Sequence, residues 1–393
     1  MHYIPSTVIG GDNKAVTTTS PKPTTNPPSV TVDPNRYLLP TNTCDPSHTF
    51  QDIFAVHRKL LPEQAHLITD LPVDAGYQPE IDCEFPTSDN KPRIEHNIHQ
   101  VWLTSPEVSS VPTKFLDNVK SFIKHNPDWT FYFWTNTTVT ALLKERHPHL
   151  LPIYESFNEI VVKGDMIRYV ILYEFGGLYA DFDVVCHRPL DITVIKYPCL
   201  MIYTPFEHAA HWFHQPYMVI NAIMMCRAKH PFLKQIVDTI PSRKDVKNIV
   251  FKLGPGFLTG EYRTYINNTK DTARVDLSQD STTPYFYQGE IPPTHDDGVY
   301  IPNTRFFMDS PSPAISGWWK QTCKTISKDN NYERACSVVR RRGYFRKPGK
   351  YTFLEHTWTQ TWSNAKKNNK YEFTSIRNLT SHLGIFQPKN TTL

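Results

Sequence analysis

A regular alternation of short apolar strands and amphipathic helices, which starts at Ile94, restricts the fold of this chain more than any other feature. Ile94 to Leu103 alternates as a β-strand does, and Lys114 to His125 has the spacing of an amphipathic helix. Phe131 to Trp134 predicts a second strand, and Asn136 offers an N-cap for a second helix over Val139 to Arg146. Strands and helices in turn predict an α/β sheet covered by helices.

The segment before this alternation has a different composition. Residues 16–40 are rich in Thr, Pro and Ser and poor in large apolar side chains. Such a segment cannot bury enough surface to offset its chain entropy. We therefore expect a disordered arm or stalk over residues 1–45, an N-terminal extension over 46–92, and a single catalytic domain over 93–387.

Charge and cysteine usage exclude some classes of function. The chain has 42 Lys and Arg against 38 Asp and Glu, a net charge of +4, which gives no reason to expect a nucleic-acid partner. The 7 cysteines form no CxxC pair, which argues against a zinc site built on paired cysteines. Residues 340–347 include a basic cluster. It is either a solvated surface or a binding site for an acidic group, such as an acidic acceptor or a membrane headgroup.

Membrane and targeting signals are weak. No stretch reaches the roughly 18 apolar residues that a membrane span needs, and residues 1–11 lack the basic flank and apolar run of a signal peptide. We therefore expect membrane association only through a segment outside this sequence. Asn-x-Ser/Thr sequons favour a secretory location only slightly; they lie at Asn136, Asn267, Asn378 and Asn390.

The stretch that carries chemistry is residues 163–190, which read KGDMIRYVILYEFGGLYADFDVVCHRPL. Asp165 to Phe175 predicts a helix, and Asp165 and Arg168, three residues apart, share one of its faces. Gly176 and Gly177 then end the helix, because glycine adopts the left-handed conformation at little cost.

Two carboxylates follow this helix. Leu178 to Val185 reads as an extended segment, on which Asp181 and Asp183 point the same way. They end a hydrophobic strand, the usual position of ligand sites in open α/β sheets. Oxygen ligands suit Mg²⁺ or Mn²⁺, and Arg168 nearby adds a positive group for a pyrophosphate.

These residues resemble the sugar-binding Asp-x-Asp region of family 32 glycosyltransferases, the fungal α-mannosyltransferases and animal α-1,4-glycosyltransferases among them. Other stretches match the family in order: Ile98 to Trp102 (IHQVW), Asn126 to Trp134 (NPDWTFYFW), Lys252 to Gly260 (KLGPGFLTG) and Tyr351 to Trp362. The chain departs from the pattern with Leu-Gly-Pro in the glycine loop and Glu-His-Thr-Trp in the closing segment.

The resemblance implies an α/β fold of the GT-A type and a retaining transfer from a nucleotide-sugar to a hydroxyl of a glycan or glycolipid. GDP-mannose is the favoured donor, followed by UDP-galactose and UDP-N-acetylglucosamine. Asp181, Asp183 and Arg168 would form the catalytic set with Mn²⁺ or Mg²⁺. The implied location is the Golgi or another secretory lumen.

The resemblance also implies roles for single residues. Trp102 would stack on the donor base, and Asp165, Arg168 and Asp181 would hold the sugar, ribose and phosphates. Asp183 and His356 would bind the metal. Further donor contacts fall on Asn221, Gly254 and Trp358 or Trp362. Without the resemblance, a place in the hydrophobic core explains Trp102 as well as stacking on the donor base does. A packing role likewise explains His356 as well as metal binding does.

Two other functions remain open at this stage. Asp181 to Val185 (DFDVV) also fits a phosphatase of the haloacid dehalogenase type, in which Asp181 is the nucleophile and Asp296 and Asp297 hold Mg²⁺. The other function is that of a glycosyltransferase fold that binds sugar or nucleotide without turnover.

Overall fold

A six-stranded mixed sheet lies at the centre of the part of the chain that is described in this computed structural model. The described residues are 85, 91–215, 217–268, 297–302, 304–324, 332–333, 335–336, 339–340, 346–349, 352–359 and 371–388. The strands are β1 (Asn97–Val101), β2 (Ser110–Pro112), β3 (Thr130–Trp134), β4 (Gly177–Ala180), β5 (Val184–Cys186), β6 (Cys199–Tyr203), β7 (Val219–Cys226), β8 (Leu354–His356), β9 (Phe373–Ser375) and β10 (Leu383–Gly384).

Helices connect and cover these strands. They are α1 (Leu116–His125), α2 (Asn136–Arg146), α3 (Leu151–Ser156), α4 (Ile160–Phe175), α5 (Phe206–His208), α6 (Pro231–Thr239), α7 (Ile249–Lys252), α8 (Pro255–Asn268), α9 (Thr304–Phe307) and α10 (Ser316–Thr322). A π-helical turn, Ala209–Phe213, continues α5. Within the described ranges, no helix combines the length and the apolar character needed to cross a bilayer.

The sheet has the order β10-β3-β1-β4-β7-β6. Strands β10, β3, β1 and β4 are parallel neighbours, and β7 runs antiparallel to both β4 and β6. Two antiparallel pairs, β2 with β9 and β5 with β8, lie outside this sheet. The predicted α/β class is confirmed by this arrangement of strands and helices.

Both faces of the sheet are buried, because side chains alternate across it. Leu178 and Ala180 of β4 pack in one hydrophobic cluster with residues of α1, whereas Tyr179 packs in the other with residues of α4. Phe85 contacts the rings of Phe306 and Phe353 in the first of these clusters. The predicted arm over residues 1–45 lies outside the described residues, and the domain boundaries at 46–92 and 93–387 stay predictions.

Helix α2 begins differently from the prediction. Its N-cap is Thr135, whose side chain accepts a hydrogen bond from the Thr138 amide, while the Thr138 hydroxyl accepts one from the Thr135 amide. The N-cap prediction for Asn136 was therefore wrong by one residue. The Asn136 side chain is used elsewhere, since its Oδ1 accepts a hydrogen bond from the Tyr154 hydroxyl.

The double glycine ends α4 as predicted, although the helix starts at Ile160 rather than Asp165. Gly176 and Gly177 have φ angles of 61° and 97°. A Cβ on Gly177 would lie 2.4 Å from the backbone oxygen of Asn97 in β1. Only glycine therefore lets β4 begin immediately beside β1.

Gly177→Ala is expected to lower the free energy of unfolding by at least about 2 kcal/mol, because it adds both a backbone clash and an unfavourable φ. Chemical denaturation measures the change. Gly260→Ala is the matched control, since Gly260 lies in α8 with nothing within 4 Å of its would-be Cβ. The control should gain roughly 0.5–1 kcal/mol from helix propensity. Equal stability of the two variants would contradict this account.

His99 is a structural histidine in the centre of β1. Its Nδ1 accepts a hydrogen bond from Trp134 Nε1 at 3.2 Å, which leaves the proton on Nε2 for the Gly176 carbonyl at 2.9 Å. Burial lowers the pKa of His99 to about 4, against a smaller raising effect of the Gly176 hydrogen bond. The folded protein therefore holds this imidazole neutral.

The unfolded chain protonates His99 near pH 6.5, so between about pH 6.5 and 4 the unfolded state binds the extra proton. We expect up to about 3 kcal/mol of stability to be present above this window and lost as pH falls through it. His99→Gln should lose that part of the pH dependence, whatever its stability at pH 7. Parallel stability–pH curves for the two proteins would exclude this assignment.

Candidate active site

The two aspartates of the Asp-x-Asp motif lie in a turn, not on one extended strand. Strand β4 ends at Ala180, the Val184 amide donates to the Asp181 carbonyl at 3.1 Å, and β5 begins at Val184. The expectation of an extended segment over Leu178 to Val185 was therefore wrong at its centre. The cause is Phe182, whose ring is buried against Trp102, so the chain bends around this anchor.

The turn nevertheless brings both carboxylates to one place. Single ligand atoms of Asp181, Asp183 and His356 all lie within 4.8 Å of one another. His356 reaches this position because β8 pairs antiparallel with β5, with Val184 opposite His356. The site thus joins residues that are far apart in the sequence.

Asp183 is held from two sides. Its Oδ1 lies 3.2 Å from His356 Nε2, and its Oδ2 accepts hydrogen bonds from the Thr359 amide at 2.8 Å and hydroxyl at 3.0 Å. Burial by itself would raise the pKa of Asp183, but the charge and hydrogen bond of His356 and the Thr359 donors outweigh it and lower the pKa well below the ordinary value. The carboxylate is therefore ionised at neutral pH.

The pKa of His356 shifts in the opposite direction. Burial would lower its pKa, but the Asp183 carboxylate outweighs burial and raises the pKa above the ordinary value. Its Nδ1 is buried and has no hydrogen-bond partner among the described residues. Among the described residues, the polar contact that orients the imidazole is therefore the one through Nε2.

Arg168 connects the motif to helix α4. Its Nη1 donates to the Asn221 carbonyl at 2.6 Å and lies 3.4 Å from Asp181 Oδ1. Its Nη2 lies 3.1 Å from Asp165 Oδ1, one helical turn earlier. Burial alone would lower the pKa of Arg168, but the surrounding charges, Asp181 first, raise it, so the guanidinium stays charged.

Asp165 is the most perturbed of these carboxyls. Burial raises its pKa to about 7, against the lowering effects of Arg168 and of the Asn221 hydrogen bond. Asn221 Nδ2 donates to Asp165 Oδ1 at 3.0 Å and also lies 3.1 Å from the Tyr169 hydroxyl. The predicted donor residues Asp165, Arg168 and Asn221 therefore form one buried cluster beside Asp181.

Tyr179 belongs to the site and was missed from the sequence. Its hydroxyl donates to Asp181 Oδ1 at 2.6 Å, and the Arg168 guanidinium lies 4.8 Å from its ring centroid. The signal was available, because Tyr179 precedes Asp181 by two residues and so shares a face of the strand with it. Thr359 was also missed, and no local pattern connects it to Asp183.

A cavity of about 850 Å³ opens in front of these residues, and Asp165, Arg168, Asp181, Asp183, Asn221 and His356 line it. Trp102 lines it too, with edge contacts to Phe115 and Tyr371. Gly254 lines it just before α8. The structure thus brings every predicted site residue to one cavity, apart from Trp362, which lies outside the described residues.

Trp358 takes a defined position in the cavity wall. Its ring stacks on His208 with centroids 4.4 Å apart, and its edge meets His356 at the same distance. Its Nε1 donates to the Ser310 carbonyl at 2.8 Å. His208, which the sequence did not indicate, therefore supports the wall beside His356.

The donor set fits a divalent cation. Two carboxylates and one imidazole nitrogen converge, and the carboxylate oxygens are the ligands that suit Mn²⁺ or Mg²⁺. The Thr359 hydrogen bonds occupy Asp183 Oδ2 and leave Oδ1 directed toward His356. The residues present are therefore able to hold the metal that the resemblance implies.

The site is less compatible with a phosphatase of the haloacid dehalogenase type. That function requires a later acidic pair near Asp181. Asp297 instead pairs with Arg227 at 2.9 Å and does not line the cavity, and Asp296 lies outside the described residues.

Comparison with known proteins agrees with this site. Residues 112–200 match the family model "Glycosyltransferase sugar-binding region containing DXD motif". This stretch of the chain is therefore similar to a glycosyltransferase sugar-binding region with an Asp-x-Asp motif, which confirms the resemblance found in the sequence.

Individual relatives are fungal mannosyltransferases. Inositol phosphoceramide mannosyltransferase 3 of Schizosaccharomyces pombe is 30% identical over 48% of this chain and 49% of its own length. Mannosyl phosphorylinositol ceramide synthase SUR1 of Saccharomyces cerevisiae is 24% identical over 80% of this chain and 74% of its own length. The chain spans about half the length of the first of these relatives.

The chain also has a distant likeness to solved glycosyltransferase structures. The PaToxG glycosyltransferase matches 52% of this chain and 79% of its own, with 16% identity and a TM-score of 0.34. A likeness of this size has no bearing on fold type, substrate or activity.

Proposed function

We propose that this chain is a metal-dependent, retaining hexosyltransferase that moves mannose from GDP-mannose to a hydroxyl of a glycan or glycolipid. The observation that carries the proposal is the cluster of Asp181, Asp183 and His356, with Arg168 beside it, at a cavity of about 850 Å³. A cavity of this size suits a nucleotide-sugar, and its charged groups are gathered where a pyrophosphate would lie.

Each charged residue has a distinct part in this proposal. Asp183 and His356 would hold a Mn²⁺ or Mg²⁺ ion, with Asp181 next to them. The metal, when bound, supplies positive charge to the departing nucleoside diphosphate. Arg168, fixed by four contacts with α4, β7 and Asp181, offers a second and immobile positive charge to the phosphates.

Retention of configuration is proposed to occur by attack on the face from which the phosphate leaves. The alternative needs a free carboxylate as nucleophile. Asp165 accepts from Asn221 and Arg168, and Asp181 accepts from Tyr179 and faces Arg168. Because such pairing reduces nucleophilicity, these contacts support attack from the same face. An inverted anomeric centre in the product, measured by NMR, would exclude retention.

The preference for mannose rests on two relatives, of which one is named an inositol phosphoceramide mannosyltransferase and the other a mannosyl phosphorylinositol ceramide synthase. Those names also mention inositol phosphoceramide, so a glycolipid is the acceptor to test first. UDP-galactose and UDP-N-acetylglucosamine are the next donors.

A Golgi or other secretory-lumen location is part of this proposal. Cystine bridges join Cys199 to Cys226 and Cys323 to Cys336, and disulfides persist mainly in oxidising compartments. Cys186 is the free, buried cysteine of the described residues.

Hydrolysis of the three donors by the purified chain, with and without Mn²⁺, tests the proposal. We expect nucleotide release from GDP-mannose, abolished by EDTA and restored by Mn²⁺. Release from a UDP-sugar alone would change the donor but keep the enzyme class. Binding of donor and metal without any turnover, also in the presence of a glycolipid acceptor, would indicate a binding protein instead.

A further inference from the structure

The mouth of the cavity carries exposed apolar side chains. Among the described residues, Ile160, Trp212, Phe251 and Ile385 are the large hydrophobic residues with notable exposure, between 41% and 48%. Ile160 and Trp212 line the cavity, and Phe251 directly follows Ile249 and Val250, which also line it. Two of the four thus lie at one opening and a third lies beside it in α7, whereas burial of apolar surface would normally keep such residues apart or covered.

These side chains lie at a defined distance from the polar cluster. Ile160 is the first residue of α4, and Gly164, Asp165 and Arg168 follow on the cavity-lining face of the same helix. With a rise of 1.5 Å per residue, Ile160 lies roughly 12 Å along the helix axis from Arg168. A polar headgroup can occupy that length, with its apolar part remaining at the mouth.

Cations flank the mouth on the side of α7. Arg243 donates to the Phe251 carbonyl, and Lys244 and Lys247 are exposed in the segment that leads to Ile249. Two acidic residues lie close in the sequence to these side chains. Asp245 is in the same segment as the lysines, and Glu159 directly precedes Ile160. The net charge of residues 243–251 is therefore positive, because Arg243, Lys244 and Lys247 outnumber the single acid Asp245.

We propose that this mouth, lined by Ile160 and Trp212 and with Phe251, Lys244 and Lys247 in the segment beside it, docks on the surface of a bilayer that contains anionic lipids. Aromatic and aliphatic side chains enter the interface while the lysines contact the headgroups. The inference rests on the proposed function in one respect: the acceptor hydroxyl would enter the cavity from the bilayer surface.

A bilayer suits this surface better than a protein partner. A stable protein interface needs roughly 20–30 residues a side, and the mouth offers three exposed large apolar side chains on separate elements. Shallow insertion with adjacent cations needs only a few such residues. The sequence had predicted membrane association only through a segment outside the chain, and the docking surface revises that expectation.

Co-sedimentation of the full chain with vesicles tests the proposal. We expect binding to phosphatidylcholine vesicles that include phosphatidylserine, and weaker binding to phosphatidylcholine alone. Phe251→Ser and Ile160→Ser should each weaken partitioning about tenfold or more. Lys244→Gln and Lys247→Gln should each weaken it roughly fivefold, and added salt should remove that difference.

Ile385→Ser is the matched control, because Ile385 is as exposed but neither it nor its neighbours in the sequence line the cavity. It should bind vesicles as the wild type does, and melting temperatures should agree among the variants. Absence of wild-type binding to either vesicle overturns the proposal, and so does an equal loss in Ile385→Ser. A dimer that Phe251→Ser converts to monomer would also overturn it, because a second copy would then cover the mouth.

Donor hydrolysis in lipid-free solution separates this inference from the proposed function. Phe251→Ser should hydrolyse donor as the wild type does while losing vesicle binding. Wild-type protein that hydrolyses GDP-mannose but ignores vesicles refutes the docking surface alone. Wild-type protein that binds vesicles yet hydrolyses none of the donors refutes the proposed function alone.

Discussion

Asp183→Asn is expected to lower donor hydrolysis by about 10³-fold and to leave the fold in place. The substitution removes the negative charge beside His356 while keeping nearly the same shape. The Asn amide oxygen can still accept from Thr359, as Asp183 Oδ2 does at 2.8 and 3.0 Å. The pKa of His356 then falls, since burial lowers it and Asp183 is the main influence that raises it.

Metal affinity is the readout that separates a ligand from a packing residue. Calorimetric titration with Mn²⁺ should show binding to the wild type and at least about a tenfold weaker affinity in Asp183→Asn. Asp128→Asn is the matched control, because Asp128 is exposed in the turn before β3. If Asp183→Asn binds Mn²⁺ normally, or if the control loses as much activity, the metal assignment fails.

Local spacing explains the part of the site that the sequence predicted. Asp165 and Arg168 share a face of α4 because they are three residues apart. The chain reversal at Gly176 and Gly177 sends β4 back beside that helix, so Asp181 meets Arg168. Neither relationship requires contacts with distant parts of the chain.

The remainder of the site depends on long-range pairing, which periodicity does not encode. His356 joins Asp183 only because β8 pairs with β5, and Thr359 follows from the same pairing. The family resemblance indicated His356, but nothing local indicated Thr359 or His208. The turn at Asp181 to Asp183 was mistaken for strand because Phe182 fits a buried strand and a buried turn equally well.

The apolar mouth of the cavity is another feature that patterns in the local sequence do not predict. Ile160, Trp212 and Phe251 lie in three separate segments, each with other apolar residues that are buried. A hydropathy window averages over residues that are consecutive in the sequence, so it finds no membrane signal in any of these three segments. Only the fold reveals that Ile160 and Trp212 line one cavity and that Phe251 follows directly on residues that line it.

Arg168→Lys is expected to lower donor hydrolysis by about 10²-fold although the positive charge is kept. The guanidinium contacts four acceptors at once: the Gly164 and Asn221 carbonyls, Asp165 and Asp181. A lysine ammonium has three donors around one nitrogen and cannot span Asp165 and Asp181 with the same geometry. The positive charge of the lysine ammonium would therefore not be held at a fixed position beside the phosphates.

Stability should fall as well, by about 1–3 kcal/mol, because buried acceptors around Arg168 lose partners. Arg146→Lys is the matched control: Arg146 pairs with Glu174 at 2.9 Å and does not line the cavity. Chemical denaturation and donor kinetics on both variants separate the two effects, since activity is measured where both are folded. Wild-type turnover in Arg168→Lys would mean that charge alone suffices, and that the fixed guanidinium geometry has no part in catalysis.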